Sequence, residues 1–220
     1  MRQLPEVEAY YRDLFTRDPN RSMRYPTRNE CTRLGKICEY LSEIAWRRGN
    51  PAELEARILD LGCGRGWLTP LLAVYGASEG IDPIAAVIEQ ARRHHPATKF
   101  RVGTAHDVLR DPAFRPYDVV IVSEVIEHVP YAQQDYFMQE IRALIAPNGF
   151  AIITTPRREW IAEWQRAGLI WQPVEDWLTD SELQTLFTRN GFTLIREEGC
   201  AHPTTGYVSI ARFRVGCLRG

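Results

Sequence analysis

Residues 58–67 read Ile58-Leu59-Asp60-Leu61-Gly62-Cys63-Gly64-Arg65-Gly66-Trp67, an apolar run that passes directly into glycines at alternate positions. Glycine lacks a Cβ atom, so a chain with this pattern can turn sharply after a strand and let a ligand lie against its backbone. The pattern predicts a buried strand over 57–62, with a ligand site at its carboxyl end.

The spacing of the glycines separates this loop from two other nucleotide-binding motifs. A dinucleotide fingerprint, GxGxxG, needs its third glycine at position 67, where this chain has Trp67. That bulky side chain crowds the helix start where a pyrophosphate would bind. The sequence therefore disfavours a dinucleotide, and it excludes a P-loop because no Gly-Lys-Ser/Thr sequence follows.

The rest of the chain alternates short apolar runs with segments of helical periodicity. The periodicity predicts helices over 29–48, 67–75, 83–94, 132–145 and, from a capping-box sequence, 179–190. The apolar runs predict strands over 57–62, 79–82, 99–102, 117–123, 150–155, 192–197 and 207–214. No helix separates the last two strands, which is typical of an antiparallel pair. We therefore predict an α/β fold: a doubly wound, mostly parallel seven-stranded sheet with a C-terminal antiparallel strand pair and helices on both faces.

Length and composition fit one domain over residues 1–220. Of the 220 residues 45% are hydrophobic, enough for one full core, and no linker or repeat divides the chain. We expect an N-terminal helical cap segment over 1–50 and an insertion or lid over 156–178. The insertion carries four of the six tryptophans: Trp160, Trp164, Trp171 and Trp177. These residues either wall a substrate pocket or fill the core side of a short helix.

The charges nearly balance, with 27 basic against 28 acidic residues, so no overall field would draw the protein onto nucleic acid or an anionic membrane. No apolar stretch reaches the roughly 20 residues of a membrane-spanning helix, and the first residues lack the apolar core of a secretory signal. Five cysteines without a CxxC pair favour free thiols. The sequence thus predicts a cytoplasmic protein with no nucleic-acid partner and no membrane insertion.

Acidic residues follow the next two predicted strands. Asp82 comes 22 residues after Asp60, where a carboxylate can accept hydrogen bonds from both hydroxyls of a ribose. Asp107 follows the third strand and could accept from an adenine amino group, with Ala105 and Val108 against the ring. The alternatives are that Asp82 only caps a helix that begins at Pro83, and that Asp107 only lies in a turn.

Taken together, these motifs resemble the class I S-adenosylmethionine-dependent methyltransferases, closely over residues 55–156. Asp60-Leu61-Gly62-Cys63-Gly64-Arg65-Gly66 is similar to the family's first motif, and Glu79-Gly80-Ile81-Asp82 to its ribose segment. Thr104-Ala105-His106-Asp107 is similar to the adenine contact, and Tyr117-Asp118-Val119-Val120 to the strand that leads into the active site. Residues 144–150 resemble the family's Pro-Gly-Gly turn, with Asn148 in place of one glycine.

The resemblance implies a Rossmann-like fold, S-adenosylmethionine as cofactor and S-adenosylhomocysteine as product. It implies cofactor contacts at Asp60, Gly62, Cys63, Gly64, Gly66, Asp82, Pro83, Ala105, Asp107, Val108, Ser123 and Glu124. The motifs are closest to the ubiquinone-biosynthesis O-methyltransferases and their small-molecule relatives.

The segment Ser123-Glu124-Val125-Ile126-Glu127-His128 directly follows the fourth strand. On one helical turn Glu124, Glu127 and His128 would converge. In one hypothesis His128 is a general base, with Glu127 beside it, that takes a proton from a substrate hydroxyl. In another the three side chains bind a divalent metal, as in the similar small-RNA 2′-O-methyltransferases, although the only later histidine is His202. In a third they serve only packing and polar contacts.

The N-terminal segment contains six arginines between positions 12 and 33. They either form a solvated face or supply one guanidinium that pairs with the methionine carboxylate of the cofactor or with a substrate phosphate. We select Arg28 for that role.

We therefore predict methyl transfer from S-adenosylmethionine to a hydroxyl, less favourably an amine, of a small-molecule acceptor. The alternatives are a metal-assisted RNA 2′-O-methyltransferase and a regulatory protein that binds the cofactor without turnover.

Overall fold

The computed structural model describes residues 5–19, 21–47, 56–166, 168, 172–200 and 213–219. It contains a seven-stranded sheet with strand order β3-β2-β1-β4-β5-β7-β6. The strands are β1 Ala56–Leu61, β2 Gly76–Asp82, β3 Lys99–Val102, β4 Tyr117–Ser123, β5 Ile145–Pro156, β6 Thr193–Cys200 and β7 Phe213–Arg219. The first five run parallel, and β7 pairs antiparallel with both β5 and β6. The predicted fold class is confirmed.

Seven α-helices lie around the sheet in the described part of the chain. They are α1 Pro5–Arg17, α2 Arg28–Arg47, α3 Ala85–His94, α4 Ala105–Leu109, α5 Tyr131–Leu144, α6 Ile161–Arg166 and α7 Asp180–Arg189. Short 3-10 helices cover Thr69–Tyr75, Ile126–His128 and Arg158–Trp160. None of the helices in these ranges is long and apolar enough to span a bilayer.

The two faces of the sheet bury separate clusters of side chains. Along β1 and β4, Ile58, Val119 and Ile121 pack toward α2, whereas Leu59 and Val120 pack toward α5 and α7. This alternation follows from the two-residue period of a strand, and covering both faces requires strands that are apolar on both sides. The central strands are therefore almost completely buried.

Most predicted boundaries agree with the structure to within a few residues. One exception is β5, which begins at Ile145, five residues before the strand predicted over 150–155. The segment predicted as a helix over 67–75 forms a 3-10 helix, Thr69–Tyr75. The helix predicted from Pro83 begins two residues later, at Ala85. Of the strand predicted over 207–214, residues 207–212 lie outside the described residues, and the observed strand is β7. The capping box that begins α7 is confirmed: Thr179 accepts from the amide of Glu182, and Glu182 accepts from the amide of Thr179.

Candidate active site

A cavity of about 690 Å³ opens at the carboxyl ends of β1, β2 and β4. Strand β1 has β2 on one side and β4 on the other, so the connections leave the sheet in opposite directions at this point. Open α/β sheets bind ligands in the crevice that such a switch in strand order creates. The cavity size is within the range of small-molecule sites.

The glycine loop forms one wall of the cavity. Gly62, Gly64 and Gly66 have φ angles of 77°, 52° and 79°, a left-handed conformation that favours glycine. A Cβ atom on Gly62 would lie 2.5 Å from Val125 Cγ2. Gly62, Cys63 and Gly64 line the cavity as predicted. Gly66 does not: a Cβ there would meet Phe100 in the interior, so this glycine serves packing.

Asp82 joins the glycine loop to the end of β2. Its carboxylate accepts hydrogen bonds from the Gly64 amide at 3.0 Å and the Ile84 amide at 3.0 Å. Burial raises its pKa to about 6. Asp82, which is predicted to contact a ribose, and Pro83, which is predicted to contact the cofactor, both line the cavity. The alternative that Asp82 caps the following helix is wrong, because the N-cap of α3 is Ile84 and no side chain caps it.

Asp60 lies behind the loop rather than in the cavity wall. It is fully buried, and its Oδ2 accepts a hydrogen bond of 2.6 Å from the Thr69 hydroxyl. Burial raises the pKa of Asp60 to about 7. The prediction that its carboxylate contacts the ligand directly is therefore not supported by its position.

The predicted adenine contacts also lie outside the cavity lining. The Asp107 carboxylate accepts from the amide and hydroxyl of Thr104, both at 2.8 Å, which completes the capping box of α4. These hydrogen bonds lower the pKa of Asp107. Ala105 and Val108 are buried in the core cluster that faces α5. The turn interpretation of Asp107 therefore fits better than the ligand interpretation.

Ser123 and Glu124 line the cavity at the end of β4. Glu124 has a φ of 58°, an uncommon conformation for a residue with a side chain and a frequent feature of functional sites. Its Oε1 accepts a hydrogen bond of 2.8 Å from the Thr154 hydroxyl and lies 3.9 Å from Arg33 Nε. Burial raises the pKa of Glu124, although Arg33 opposes this shift.

Glu127 and His128 follow on the short 3-10 helix. The Nδ1 atom of His128 lies 3.1 Å from the Val174 carbonyl oxygen, which can only accept, so Nδ1 carries the proton. Burial lowers the pKa of His128 to about 4, so the ring is neutral at pH 7 and Nε2 bears a lone pair. Glu127 Oε1 lies 3.7 Å from that Nε2, and burial raises the pKa of Glu127. Burial thus disfavours the charged form of both side chains.

The same geometry argues against the metal hypothesis. Glu124 points to Thr154 and Arg33, Glu127 accepts from the Thr155 hydroxyl at 3.1 Å, and His128 donates to a carbonyl. Among the residues that the structure describes, no three His, Cys, Asp or Glu side chains are placed to hold a metal ion. Glu124, Glu127 and His128 thus do not form the predicted metal site.

The N-terminal segment covers the cavity through contacts that the sequence analysis missed. Arg65 of the glycine loop is 1% exposed and donates two hydrogen bonds of 2.7 Å to Glu30. The pattern Thr27-x-x-Glu30 is typical of a helix start and could have placed Glu30 in the first turn of α2. In the structure the two residues form that capping interaction. Phe15 of α1 packs 3.4 Å from where a Cβ on Gly64 would stand.

Arg33, not Arg28, is the buried arginine of this segment. Arg33 is 7% exposed and lines the cavity beside Glu124, whereas Arg28 is exposed and lies outside the lining. The position of Arg33 makes it a better candidate than the predicted Arg28 for pairing with a ligand carboxylate. The two differ by five positions along α2, and only knowledge of which helix face meets the sheet separates them.

Two of the tryptophans in the insertion wall the cavity. Trp164 and Trp177 line it with their rings edge to face at 5.2 Å. Trp160 does not belong to the lining, and Trp171 lies outside the described residues. The Tyr11 hydroxyl of α1 donates to Gln172 Oε1 at 2.9 Å, so the cap segment and the insertion meet above the site.

Residues 29–197 match the model of a family described as a methyltransferase domain. The chain belongs to this family. The resemblance and the predicted enzyme class, an S-adenosylmethionine-dependent methyltransferase, are thereby confirmed.

Curated relatives of this methyltransferase are named ubiquinone biosynthesis O-methyltransferase. The protein of Bradyrhizobium diazoefficiens is 36% identical over 47% of this chain and 41% of its own length. The Nitrobacter winogradskyi protein is 31% identical over 68% of this chain and 61% of its own. The mitochondrial protein of Rattus norvegicus is 30% identical over 69% of this chain and 48% of its own length. The chain thus spans about half the length of the curated relatives it matches.

Solved methyltransferases share the fold of this one at low sequence identity. The N-methyltransferase NodS of Bradyrhizobium japonicum in complex with S-adenosylhomocysteine gives a TM-score of 0.68 at 18% identity, over 97% of this chain and 98% of that one. Magnesium protoporphyrin IX methyltransferase of Synechocystis, also with bound S-adenosylhomocysteine, gives a TM-score of 0.67 at 16% identity, over 97% of this chain and 99% of that one. These likenesses confirm the architecture.

Proposed function

We propose that this methyltransferase binds S-adenosylmethionine in the cavity at the glycine loop and methylates a hydroxyl group of a small-molecule acceptor. The observation that carries the proposal is the neutral His128, whose Nδ1–H is held by the Val174 carbonyl while Nε2 carries a lone pair in the cavity wall. A neutral imidazole with a free lone pair is able to accept a proton, as a general base must.

The glycine loop and Asp82 offer the features that a nucleoside ligand needs. A ligand can approach the backbone of Gly62 and Gly64 closely because neither residue has a side chain. Asp82 can accept hydrogen bonds from the hydroxyls of a ribose. Asp60 contributes indirectly, because its hydrogen bond with Thr69 supports the loop from behind. Arg33 replaces Arg28 as the guanidinium proposed to pair with the methionine carboxylate.

S-adenosylmethionine supplies an electrophilic methyl group on a sulfonium. The protein's part is to place the acceptor oxygen in line with that methyl, and orientation can supply roughly 7–11 kcal/mol at best. With S-adenosylmethionine bound, His128 Nε2 would take the proton of the acceptor hydroxyl while the methyl group passes from sulfur to that oxygen and S-adenosylhomocysteine is left as product. Glu127, held by Thr155, stands beside the imidazole and can stabilise it when it becomes protonated.

Aromatic side chains of the N-terminal cap segment and of the insertion exclude water from this reaction. Tyr11 packs edge to face on His128, with ring centroids 5.7 Å apart, and its hydroxyl reaches Gln172. Trp164 and Trp177 line the same cavity, with their rings edge to face. Exclusion of water strengthens the interactions of the site with the reacting groups.

The relatives named O-methyltransferase support a hydroxyl acceptor over an amine. The balance of 27 basic and 28 acidic residues gives no support to an RNA acceptor. The proposal is tested with methyl-labelled S-adenosylmethionine and matched phenol and aniline acceptors. We expect label on the phenol with release of S-adenosylhomocysteine, and label only on the aniline would contradict the hydroxyl assignment.

A further inference from the structure

Residues 172–178 form the cavity wall next to His128, and hydrogen bonds fix this segment at several points. His128 Nδ1 donates to the Val174 carbonyl at 3.1 Å, and the Asp176 amide donates to the Glu127 carbonyl at 2.8 Å. Farther on, Arg158 Nε donates to the Trp177 carbonyl at 2.7 Å. Glu175 lies between the first two anchors, so its backbone is held beside the proposed base.

The Glu175 carboxylate lines the cavity, and one of its oxygens lacks a hydrogen bond of standard geometry within the described residues, although donors of Gln172 are close to the carboxylate. Its Oε2 accepts from Trp177 Nε1. Its Oε1 is shielded from solvent and receives no hydrogen bond of standard geometry from the residues that the structure describes. Burial raises the pKa of Glu175, although Trp177 and Gln172 nearby oppose the shift. A shielded carboxylate oxygen of this kind is stabilised by a donor, and most by a cationic one.

Charges are distributed unevenly around the cavity. The arginines of the lining, Arg21, Arg33 and Arg65, come from the cap segment and the glycine loop. Arg65 forms an ion pair with Glu30, and Arg33 lies beside Glu124. Asp18, Glu30, Asp82 and Glu124 line the same part of the cavity as these arginines. The part of the described lining formed by residues 127–177, which includes His128, contains Glu127 and Glu175 and no arginine or lysine. An anionic acceptor group placed there would meet carboxyl groups, whereas a cation would be attracted.

Aromatic rings complete this end of the cavity. Trp164 and Trp177 meet edge to face at 5.2 Å, and Tyr11 lies against His128. The faces of such rings attract an ammonium group by cation–π interaction. Aromatic walls combined with one carboxylate are thus suited to an amine-bearing aromatic molecule.

From this arrangement we infer that Glu175 is a specificity-determining residue, which selects acceptors that carry an ammonium group in addition to the methylated hydroxyl and rejects acceptors that carry a carboxylate. The ammonium would donate to Glu175 Oε1 beside the indole rings, with the hydroxyl at His128 Nε2. The inference rests on the proposed function, because it assumes that the acceptor hydroxyl approaches His128.

The test compares three probes that share a catechol ring and differ in charge: dopamine, catechol and 3,4-dihydroxybenzoate. Their affinities are measured by calorimetry on the protein loaded with S-adenosylhomocysteine, so no turnover is needed. We expect dopamine to bind at least about tenfold more tightly than 3,4-dihydroxybenzoate, with catechol between them. Equal affinities, or tighter binding of the carboxylate probe, would overturn the inference.

Variants separate the role of Glu175 from the general character of the pocket. Glu175→Gln keeps the size and an acceptor for Trp177 Nε1, and we expect it to reduce the dopamine preference to within about twofold. Glu159→Gln, on the same insertion but exposed and outside the lining, should retain the full preference. An unchanged preference in Glu175→Gln refutes the inference. Failure of S-adenosylhomocysteine itself to bind overturns the proposed function as well, and thus the two failures are distinguishable.

Discussion

Arg65, in the middle of the glycine loop, forms a two-pronged ion pair with Glu30 on α2, and both side chains are almost completely buried. The remaining donors of Arg65 reach the carbonyl oxygens of Met23 at 2.7 Å and Tyr25 at 3.2 Å. One side chain therefore ties the ligand loop to the connection between α1 and α2. These hydrogen bonds hold the glycine loop and the N-terminal cap segment together.

Removal of this ion pair should lower the free energy of unfolding. Arg65→Met leaves Glu30 buried without its partner, and loss of one member of a buried pair costs about 3–5 kcal/mol of unfolding free energy. Urea denaturation measures it. Arg47→Met, which removes an exposed pair with Glu43, is the control and should change the free energy by no more than about 0.5 kcal/mol. Similar small effects for both variants would show that the buried pair does not stabilise the domain.

The same pair should make stability depend on pH in the acid range. Although burial opposes it, the hydrogen bonds and charge of Arg65 lower the pKa of Glu30 from 4.5 to about 2. A carboxyl group with a lowered pKa in the folded state stabilises the protein above its unfolded pKa, and this contribution is lost as the pH falls from 4.5 through 2. Between about pH 6 and pH 3 the wild type should lose about 2 kcal/mol that Glu30→Gln does not lose. Parallel stability curves for the two proteins would contradict this assignment.

Substitution of His128 should affect turnover more than cofactor binding. We expect His128→Ala to lower kcat about 10²–10⁴-fold while the affinity for S-adenosylhomocysteine stays within about threefold. Because burial lowers the pKa of His128 to about 4, wild-type kcat should be flat across neutral pH and fall only as the pH approaches 4. A kcat that falls through pH 6.5 would show that His128 has the ordinary pKa of a histidine and not the lowered one. Full activity of His128→Ala would leave positioning as the whole mechanism.

The two candidate arginines can be distinguished directly. Arg33→Met should weaken binding of S-adenosylmethionine at least about tenfold, since a buried charged hydrogen bond to a carboxylate is lost. Arg28→Met, one turn and a half earlier on α2 and exposed, should bind with wild-type affinity. Isothermal calorimetry measures both. A larger loss in Arg28→Met would restore the prediction made from the sequence.

Sequence patterns predict the parts of the molecule that depend on neighbours along the chain. The strand over 57–62, the glycines after it and the antiparallel end of the sheet follow from local period and turn chemistry. Arg65 and Glu30 are 35 positions apart, and only packing of α2 against the loop brings them together. Asp107 shows the converse case, because a local capping box competes with a ligand for the same carboxylate.

Calorimetric titration of S-adenosylhomocysteine into Asp82→Ala and Asp107→Ala tests whether the ribose binds at Asp82. We predict that Asp82→Ala weakens binding at least about tenfold, because it removes the buried carboxylate that braces Gly64 and faces the cavity. Asp107→Ala, whose carboxylate lies outside the cavity lining, should stay within about twofold of the wild-type affinity. Wild-type affinity in Asp82→Ala together with lost binding in Asp107→Ala would show that the ribose binds at Asp107 and not at Asp82.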